Sequence, residues 1–264
     1  MLTPERLRAA LPVNGLGEPL YFFSTIGSTN DYARELAEQG APQGTLVVTD
    51  EQTAGRGRGD NRWETPARSA LAFSVILRPK RLPPERAGIM TALGALAVAE
   101  AIEGLGRQAE IKWPNDVLMS GKKVAGVLAE IAWQGDTPAF AVIGVGVNVR
   151  PKSVPMKEEI SFPATCVELR LGRVIDRHRL LIDILIKLAD WYHNLESSKF
   201  METWEAHLAY RGHMVAVEAP SGDIRGKLKG LSSNGRLCLE GDDKAVFEVG
   251  PESSRLRPID KLAR

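Results

Sequence analysis

The sequence predicts an α+β fold, in which a mixed β-sheet with packed helices precedes a small SH3-like β-barrel. Apolar, β-branched segments recur through residues 19–149, and several neighbours are joined by short turns rather than helices. This order favours α+β over a doubly wound parallel sheet. After Gly212 the pattern changes to short strands separated by turn signals, which is typical of a small barrel. The predicted domains are therefore residues 1–211 and 212–264.

The first predicted elements are a strand, a helix and two further strands. Ser28 or Thr29 can cap the helix, and Gly40 ends it. A longer helix follows, with proline at its start, apolar residues at helical spacing and glycine at its end. These elements cover residues 19–25, 27–40, 44–52, 69–78 and 83–106.

The next segment is rich in β-strand signals and includes a hairpin with a tight turn at Ser120-Gly121. Residues 153–168 contain two prolines and predict an irregular loop that covers another part of the molecule. An amphipathic helix and a second helix, running through Trp204 to Tyr210, follow. The predicted strands are 108–114, the two strands of 116–133, and 137–149, and the amphipathic helix is 176–195.

Composition excludes several classes of protein. The formal net charge is +1, so no overall field attracts nucleic acid or a membrane surface. Cys166 and Cys238 are far apart and match no metal-site spacing, which indicates reduced thiols. No signal segment and no apolar run of membrane-spanning length is present. We expect a soluble, cytoplasmic protein that binds neither nucleic acid nor membrane.

The most unusual stretch is "AGRGRGDNRW", residues 54–63. Between Asp50 and Glu64 three arginines stand against four acidic residues, which argues against a basic nucleic-acid-binding tail. Its glycines let the main chain approach a ligand, and its arginines can donate to phosphate or carboxylate oxygens. The alternative is a surface loop with solvated arginines. The spacing does not match a P-loop, and no predicted helix follows, as a dinucleotide fingerprint requires.

A second informative stretch is "KWPNDVLMSGKKVAGVLAE", residues 112–130. Asp116 is a candidate magnesium ligand, because that ion prefers few carboxylates together with phosphate oxygens. Strand alternation predicts that Lys123 shares a face with small apolar residues such as Ala125, at the wall of a pocket. Gly126 beside it leaves room for a ligand. The alternative is a hairpin whose lysines keep its edge soluble.

Together these stretches resemble the biotin–protein ligase family. The resemblance depends on "STN", "DEQTAGRGRGDNRW", "KWPNDV", "KKVAGVLAE" and "GVGVNV" in this order, and it runs from about Tyr21 to the C-terminus. It implies the catalytic fold shared by biotin and lipoate ligases, related to class II synthetases. Only about twenty residues precede the first predicted strand, too few for a DNA-binding helix-turn-helix domain. The form without that domain is therefore predicted.

The resemblance implies a two-step, ATP-dependent reaction. The biotin carboxylate attacks the α-phosphate of ATP, which gives biotinoyl-5′-adenylate and releases pyrophosphate. A lysine of a biotin carboxyl carrier protein domain, expected from acetyl-CoA carboxylase, then attacks the adenylate and releases AMP. Because the first step joins two anions, cations must offset their repulsion. Biotin, ATP and Mg²⁺ are the expected ligands, and a homodimer is the expected assembly.

The family's residue roles transfer to matching positions of this chain. The predicted catalytic residues are Lys123, Arg56 and Arg58. Asp116 is the predicted metal ligand. The residues predicted to bind biotin are Ser28, Thr29, Asn30, Gln52, Gly55, Arg56, Lys123 and Gly126, and those predicted to bind the nucleotide are Arg58, Trp63, Lys112, Asn115 and Asn148.

One departure and two alternatives accompany this hypothesis. Asp60 and Asn61 replace the last Gly-Arg pair of the commonest bacterial loop, G-R-G-R-x-G-R-x-W, and an asparagine there resembles the pattern of eukaryotic members. We expect activity to be retained. A lipoate–protein ligase or octanoyltransferase shares the fold, but the GRGR loop and the KWPND block favour biotin. A non-catalytic sensor of biotin or adenylate is the other alternative, and Lys123 with its arginine partners favours an enzyme.

Overall fold

The computed structural model describes residues 2–11, 15–156, 162–219, 222–250 and 254–259. A seven-stranded mixed sheet forms the centre, in the order β1-β2-β3-β7-β6-β5-β4. Only the β1–β2 pair is parallel among these neighbours. The strands are β1 (Leu20–Ile26), β2 (Leu46–Gln52), β3 (Ala70–Leu77), β4 (Glu110–Lys112), β5 (Asp116–Met119), β6 (Lys122–Gln134) and β7 (Thr137–Asn148). The predicted α+β class is confirmed.

Helices pack against both faces of this sheet. In the described residues the helices are α1 (Pro4–Ala10), α2 (Thr29–Glu38), α3 (Gly88–Glu103), α4 (Val167–Leu171), α5 (Arg177–His193) and α6 (Ser198–Ala206). None of them combines the length and the apolar character that a bilayer span requires. Helix α3 is buried almost all round, because it lies between the sheet and α5. An added Cβ at Gly94 of α3 would lie 2.8 Å from Val127, so the glycine permits this close approach.

The alternation of β7 divides the sheet into two different faces. Ile143, Val145 and Val147 belong to the main core on the α3 side. Their neighbours Gly144, Gly146 and Asn148 therefore point to the opposite face. Helix α2 covers only part of that second face, where its alanines pack with Val47, Ile76 and Val142. The remainder of the second face is left open for the site.

A second, five-stranded antiparallel sheet follows, in the order β11-β10-β9-β8-β12. This second sheet is consistent with the small barrel-like domain predicted from the sequence. Trp113 of the first domain donates from Nε1 to the Gly235 carbonyl, 3.0 Å away, which joins the two sheets. The strands are β8 (Met214–Ala219), β9 (Gly222–Leu231), β10 (Leu237–Glu240), β11 (Val246–Val249) and β12 (Ser254–Pro258).

The local predictions were right for most elements and wrong at two places. Ser120 and Gly121 have φ of 50° and 69°, which confirms the tight hairpin turn. Helix α1 was not predicted. The predicted helix through Tyr210 ends at Ala206, because residues 207–209 instead pair with β4 through the N–H and C=O of Ile111. Of the loop predicted at 153–168, residues 157–161 lie outside the described part.

Candidate active site

A cavity of about 1010 Å³ opens on the second face of the central sheet. Every site residue predicted from the sequence lines it except Gly55. Arg56 and Arg58, which belong to the Gly/Arg loop (residues 54–63), therefore share one cavity with Lys123. The predicted residues that line it are Ser28, Thr29, Asn30, Gln52, Arg56, Arg58, Trp63, Lys112, Asn115, Asp116, Lys123, Gly126 and Asn148.

The floor of the cavity is one row of residues across four strands. Lys112 pairs with Asp116 across the β4–β5 turn, and Asp116 pairs with Gly126 on β6. Gly126 in turn pairs with Gly146 on β7. Paired residues in neighbouring strands point to the same face. The row therefore places an ion pair at one end and two residues without side chains beside it, which leaves space for a ligand against the main chain.

Asp116 lies between two lysine ammonium groups. Its Oδ1 is 2.6 Å from Lys123 Nζ, and its Oδ2 is 3.3 Å from Lys112 Nζ. Burial opposes ionisation of Asp116, but the two lysines outweigh it and hold the pKa of the carboxyl below its ordinary value. Arg58 is close enough to be stabilised by Asp116, although burial lowers the pKa of its guanidinium. Three cations thus surround one carboxylate, and the cluster favours an anionic ligand.

Lys123 lines the cavity, as predicted, but contrary to the prediction from strand alternation it does not share a face with Ala125. Lys123 pairs with Leu118 and Ala125 pairs with Val117, so a β-bulge leaves Val124 without an opposite residue. Ala125 is therefore buried in the α3-side core. Lys123 Nζ lies 3.4 Å from the position of a Cβ at Gly126, on the cavity side. The extra residue of the bulge turns the ammonium toward the ligand face.

The Gly/Arg loop folds back on itself as a short closed turn. The Trp63 N–H donates to the Gly55 carbonyl at 2.9 Å, and the Gly57 N–H donates to the Asn61 carbonyl at 2.7 Å. Asn61 also donates from Nδ2 to the Arg58 carbonyl at 2.6 Å. A Cβ at Gly55 would lie 2.0 Å from Gln52 Nε2 and 2.1 Å from the Trp63 carbonyl. Gly55 therefore packs beneath the loop instead of facing the cavity.

Trp63 lies on the glycine floor. A Cβ at Gly146 would be 2.2 Å from its Cε2, and a Cβ at Gly126 would be 3.3 Å from its Cζ3. Its Nε1 is buried and has no hydrogen-bond partner among the described residues. Lys123 Nζ stands 5.5 Å from the centre of the indole ring. The indole thus joins the loop to the floor and to the cation cluster.

Arg56 occupies the cavity mouth and is paired with two carboxylates. Its Nη2 lies 2.7 Å from Glu130 Oε2 and 2.6 Å from Asp31 Oδ1. Burial acts to lower the pKa of Arg56, but both carboxylates outweigh it and the pKa is raised above its ordinary value. The two arginines of the GRGR motif therefore have different surroundings.

The opposite end of the cavity is a network of buried neutral groups. Thr29 donates from its main-chain N–H to Gln52 Oε1 at 2.9 Å. The Ser74 hydroxyl lies 2.8 Å from Thr29 Oγ1 and 2.6 Å from Asn30 Oδ1. Ser28 caps helix α2, where its hydroxyl accepts from the Asp31 N–H. Polar groups fixed in this way can orient a ligand in a largely apolar slot.

Two asparagine side chains and one loop complete the wall near the cations. Asn115 donates from Nδ2 to the Val127 carbonyl at 3.1 Å, and Asn148 donates from Nδ2 to the Thr165 carbonyl at 3.2 Å. The segment at Ala164 forms a bridge with Lys123. These contacts fix the two amide groups and the main chain beside Lys123. Part of the loop predicted at 153–168 does cover the site.

Comparison with known proteins identifies the family of the chain. Residues 22–148 match the model of the biotin/lipoate A/B protein ligase family. The chain is 35% identical over 243 residues to the bifunctional ligase/repressor BirA of Bacillus spizizenii, covering 90% of this chain and 74% of that protein. It is 33% identical over 242 residues to the biotin–[acetyl-CoA-carboxylase] ligase of Mycobacterium tuberculosis, covering 88% and 86%. The chain belongs to the biotin/lipoate A/B protein ligase family.

A solved structure agrees with this assignment. The biotin protein ligase of Aquifex aeolicus, in complex with biotin and ATP, superposes with a TM-score of 0.76 at 30% sequence identity. The match covers 91% of this chain and 99% of that one. The predicted membership in the biotin–protein ligase group is confirmed, and the fold of this family member agrees with it.

Some lining residues of this biotin/lipoate ligase family member were not predicted as site residues. Gly144 and Gly146 line the cavity, and their spacing with Asn148 was the signal that all three share a face. Glu218 and Arg255 reach the same cavity from the C-terminal sheet. Arg255 has a φ of 50°, and its Nη1 lies 3.5 Å from Glu218 Oε2. No local pattern could show that these two residues reach the site.

Proposed function

We propose that this chain is a biotin–protein ligase, which activates biotin with ATP and transfers it to a lysine of a carrier protein domain. The relatives at about one-third identity include proteins named as biotin–[acetyl-CoA-carboxylase] ligases. A structural neighbour was solved with both biotin and ATP. The single observation that supports the chemistry best is the convergence of Lys112, Lys123 and Arg58 around Asp116 in one cavity.

In the first step a biotin carboxylate oxygen forms a bond to the α-phosphorus while the bond to pyrophosphate breaks. Both reactants are anions, so their approach is costly without nearby cations. We assign Lys123 and Arg58 to the carboxylate and α-phosphate oxygens, and Lys112 to the departing phosphates. Because ion pairs with Asp116 hold both lysines in place, their charge is available before the reactants meet.

In the second step the amine of the acceptor lysine attacks the biotinoyl carbonyl carbon, AMP leaves with the bonding electron pair, and the amine nitrogen releases a proton to give the amide. The cations assigned to the phosphate also stabilise this leaving group. The carrier domain of acetyl-CoA carboxylase is the acceptor we propose, because the M. tuberculosis relative is named for that substrate.

The two ends of the cavity are assigned to different parts of the adenylate. Ser28, Thr29, Asn30 and Gln52 are assigned to the biotin ring, because the first three are buried and all four lie at the neutral end of the cavity. The ring would lie against the main chain of Gly126. Gly55 does not line the cavity, and we assign it to loop packing.

The nucleotide is assigned to the cationic end of the cavity. Asn115 and Asn148 present side-chain carbonyl oxygens there, since each donates from Nδ2 to the main chain. Trp63 supplies an aromatic face over the floor. Arg56 contacts carboxylates in this structure, and its predicted catalytic role stays a prediction.

The predicted magnesium ligand has lysine partners on both oxygens. Asp116 Oδ1 faces Lys123, and Oδ2 faces Lys112. Among the described residues, no group of three or more His, Cys, Asp or Glu side chains could hold a metal. Because a lysine faces each of its oxygens, we propose that Asp116 orients the two ammonium groups. Its role as a magnesium ligand beside the phosphates of ATP stays a prediction.

The proposed homodimer would use the open edge of β6. Strand β5 pairs with β6 only as far as Gly126, and residues 127–134 of β6 have β7 as their one partner strand in the described chain. An unpaired edge of this kind is suited to pairing with another strand.

A cytoplasmic location and the absence of nucleic-acid binding also stay predictions, as do the domain limits 1–211 and 212–264.

Incubation with a carrier domain tests the proposed function. The protein, ATP, Mg²⁺ and biotin are mixed with the carrier domain of acetyl-CoA carboxylase, and the mass of the intact carrier is measured. We expect one biotinoyl group per carrier, and none when ATP or the acceptor lysine is absent. Parallel reactions with lipoate and octanoate test the alternative ligase. Modification by lipoate or octanoate in place of biotin would contradict the proposal, and binding of biotin without any transfer would indicate a sensor.

A further inference from the structure

Three residues from separate elements form an ion-pair clamp at the mouth of the cavity. Arg56 opens the Gly/Arg loop, Asp31 lies in the first turn of α2, and Glu130 lies on β6. Arg56 Nη2 is 2.6 Å from Asp31 Oδ1, 2.7 Å from Glu130 Oε2 and 3.0 Å from Glu130 Oε1. We name Asp31, Arg56 and Glu130 the mouth clamp.

Glu130 is held in place by a contact that does not involve Arg56. Its Oε2 accepts a hydrogen bond of 2.9 Å from Nδ2 of Asn30, which is buried. Asn30 is itself held by the Ser74 hydroxyl and the Leu128 carbonyl. An acceptor with few available conformations loses little entropy when it pairs, so this contact is stronger than an isolated surface ion pair.

The charge balance separates Arg56 from the other cations of the site. Two carboxylates face Arg56, whereas three cations, Lys112, Lys123 and Arg58, surround the single carboxylate of Asp116. The positive charge that can attract reacting anions therefore lies around Asp116. The charge of Arg56 is already offset at the mouth.

The clamp also determines where the rest of the loop lies. Arg56 forms a β-bridge with Arg62, and the Gly55 carbonyl accepts from the Trp63 N–H. The two ends of the loop are joined by these contacts, so holding the Arg56 guanidinium at the mouth fixes the position of both ends. This position keeps Trp63 over the glycine floor and keeps Arg58 near Asp116.

We propose that Asp31 and Glu130 close the Gly/Arg loop over the cavity by holding Arg56, which makes Arg56 a positioning residue instead of a contact for the reacting phosphate. The loop is closed by the clamp whether or not the cavity chemistry is ligation, whereas the assignment of Arg56 within the reaction rests on the proposed function. Release of the clamp opens the loop and exposes the reactants to water.

Trypsin tests the closed state without any use of the enzyme's activity, because it cuts after Arg58 only when the loop opens. Cleavage after Arg58 is followed by mass spectrometry in native protein, where its rate reports the open fraction. Glu130→Gln keeps an oxygen for Asn30 but removes the charge that holds Arg56. We expect cleavage about threefold to fivefold faster in Glu130→Gln and in Arg56→Gln, as for a partly exposed ion pair.

The double variant and a matched control complete this test. The Arg56→Gln/Glu130→Gln double variant should be cleaved no faster than the faster single variant, because both changes break one contact. Glu35→Gln makes the same charge change on exposed α2 one turn beyond Asp31, and should cleave at the wild-type rate. Wild-type cleavage in Glu130→Gln, or equal acceleration in Glu35→Gln, would overturn the clamp.

The same variants separate a positioning role from a catalytic one. The kcat and the KM for ATP of biotin-dependent pyrophosphate exchange are measured for both single variants and the double variant. If Arg56 acts through Glu130, the double variant loses no more exchange activity than the single variant with the greater loss. Losses that multiply would show that Arg56 also contacts substrate, which contradicts its assignment. If the wild type shows no exchange, the ligase proposal fails while the trypsin result still decides the clamp.

Discussion

At Gly144 in the cavity floor there is no space for even one additional side-chain atom. A Cβ there would lie 1.9 Å from Asn30 Oδ1. The Asn30 amide cannot move aside cheaply, because its Nδ2 donates to Glu130 and to the Leu128 carbonyl. The requirement for glycine at this residue therefore comes from a buried hydrogen-bond network, and not from an unusual backbone angle.

Gly144→Ala tests this packing. We expect the free energy of unfolding to fall by about 1–3 kcal/mol, the cost of overpacking a well-filled interior. Urea denaturation measures it. Gly27→Ala is the control, since no atom lies within 4 Å of the added Cβ and Gly27 has no positive φ. Equal stability of Gly144→Ala and wild type would show that the Asn30 network can shift at no cost.

At the residue scale the sequence predicted which side chains meet but not every direction in which they point. The KWPND block places Lys112 and Asp116 opposite each other because a short turn separates them. The side of β6 that Lys123 occupies depends on a bulge beside β5, and alternation alone wrongly placed Ala125 on the same face as Lys123. A bulge arises from pairing with a neighbouring strand, so the pattern of one strand does not show it.

At the scale of elements, helix α1 shows what local pattern leaves out. It is seven residues long, and its position depends on contacts with α5 and β1 that are distant in sequence. The Thr3 N–H at its N-cap donates to His178 Nε2 at 3.0 Å, so that nitrogen must carry no proton. Arg6 also forms an ion pair with Asp176, 3.1 Å away.

This contact predicts a pH dependence of stability. Burial and Arg6 lower the pKa of His178 despite the opposing effect of Asp176. The folded protein therefore binds this proton less readily than the unfolded chain. The stabilisation is complete above about pH 6.5, the ordinary histidine pKa, and is lost as pH falls through the lowered pKa of the folded state.

His178→Gln isolates this contribution, because a glutamine oxygen can accept from Thr3 but does not titrate in this range. Between pH 7 and pH 5 we expect the unfolding free energy of the wild type to fall more than that of the variant, by about 1 kcal/mol for one lost hydrogen bond. Urea midpoints at several pH values measure the difference. Parallel pH profiles for the two proteins would contradict the assignment.

At the scale of the whole molecule, the two sheets meet at Gly235. The Gly235 carbonyl accepts from Trp113 Nε1, and an added Cβ would lie 2.5 Å from Cζ3 of Trp204. Its φ of 76° also disfavours other residues. This contact holds the C-terminal sheet where Glu218 and Arg255 reach the cavity.

Gly235→Ala is expected to weaken this junction. Backbone strain and the clash with Trp204 together should lower Tm by about 5 °C, consistent with a loss of roughly 2 kcal/mol in a protein of this size. Thermal unfolding measures the change. Gly88→Ala, where no atom lies within 4 Å, should leave Tm near the wild-type value. A Tm for Gly235→Ala that matches the control would mean that Trp204 does not fix the junction.

The α+β class and the two-part organisation followed from local strand and helix signals. Strand order did not, because β3 pairs with β7 across most of the first domain, and no local signal specifies that partner. No local signal showed that the C-terminal sheet contributes to the site, for the same reason. The motifs nevertheless predicted most of the site residues, since the GRGR and KWPND segments meet at the cavity.

The central claim is that Lys123 and Arg58 offset the charge of two anions that react in this cavity. Biotin-dependent exchange of labelled pyrophosphate into ATP measures that step directly, with Lys123→Ala compared against Lys122→Ala, its exposed neighbour. We expect Lys123→Ala to lose about a hundredfold or more of the exchange rate while still binding biotin, as for other preorganised electrostatic groups. Lys122→Ala should exchange at the wild-type rate. Exchange at the wild-type rate in Lys123→Ala would contradict the account.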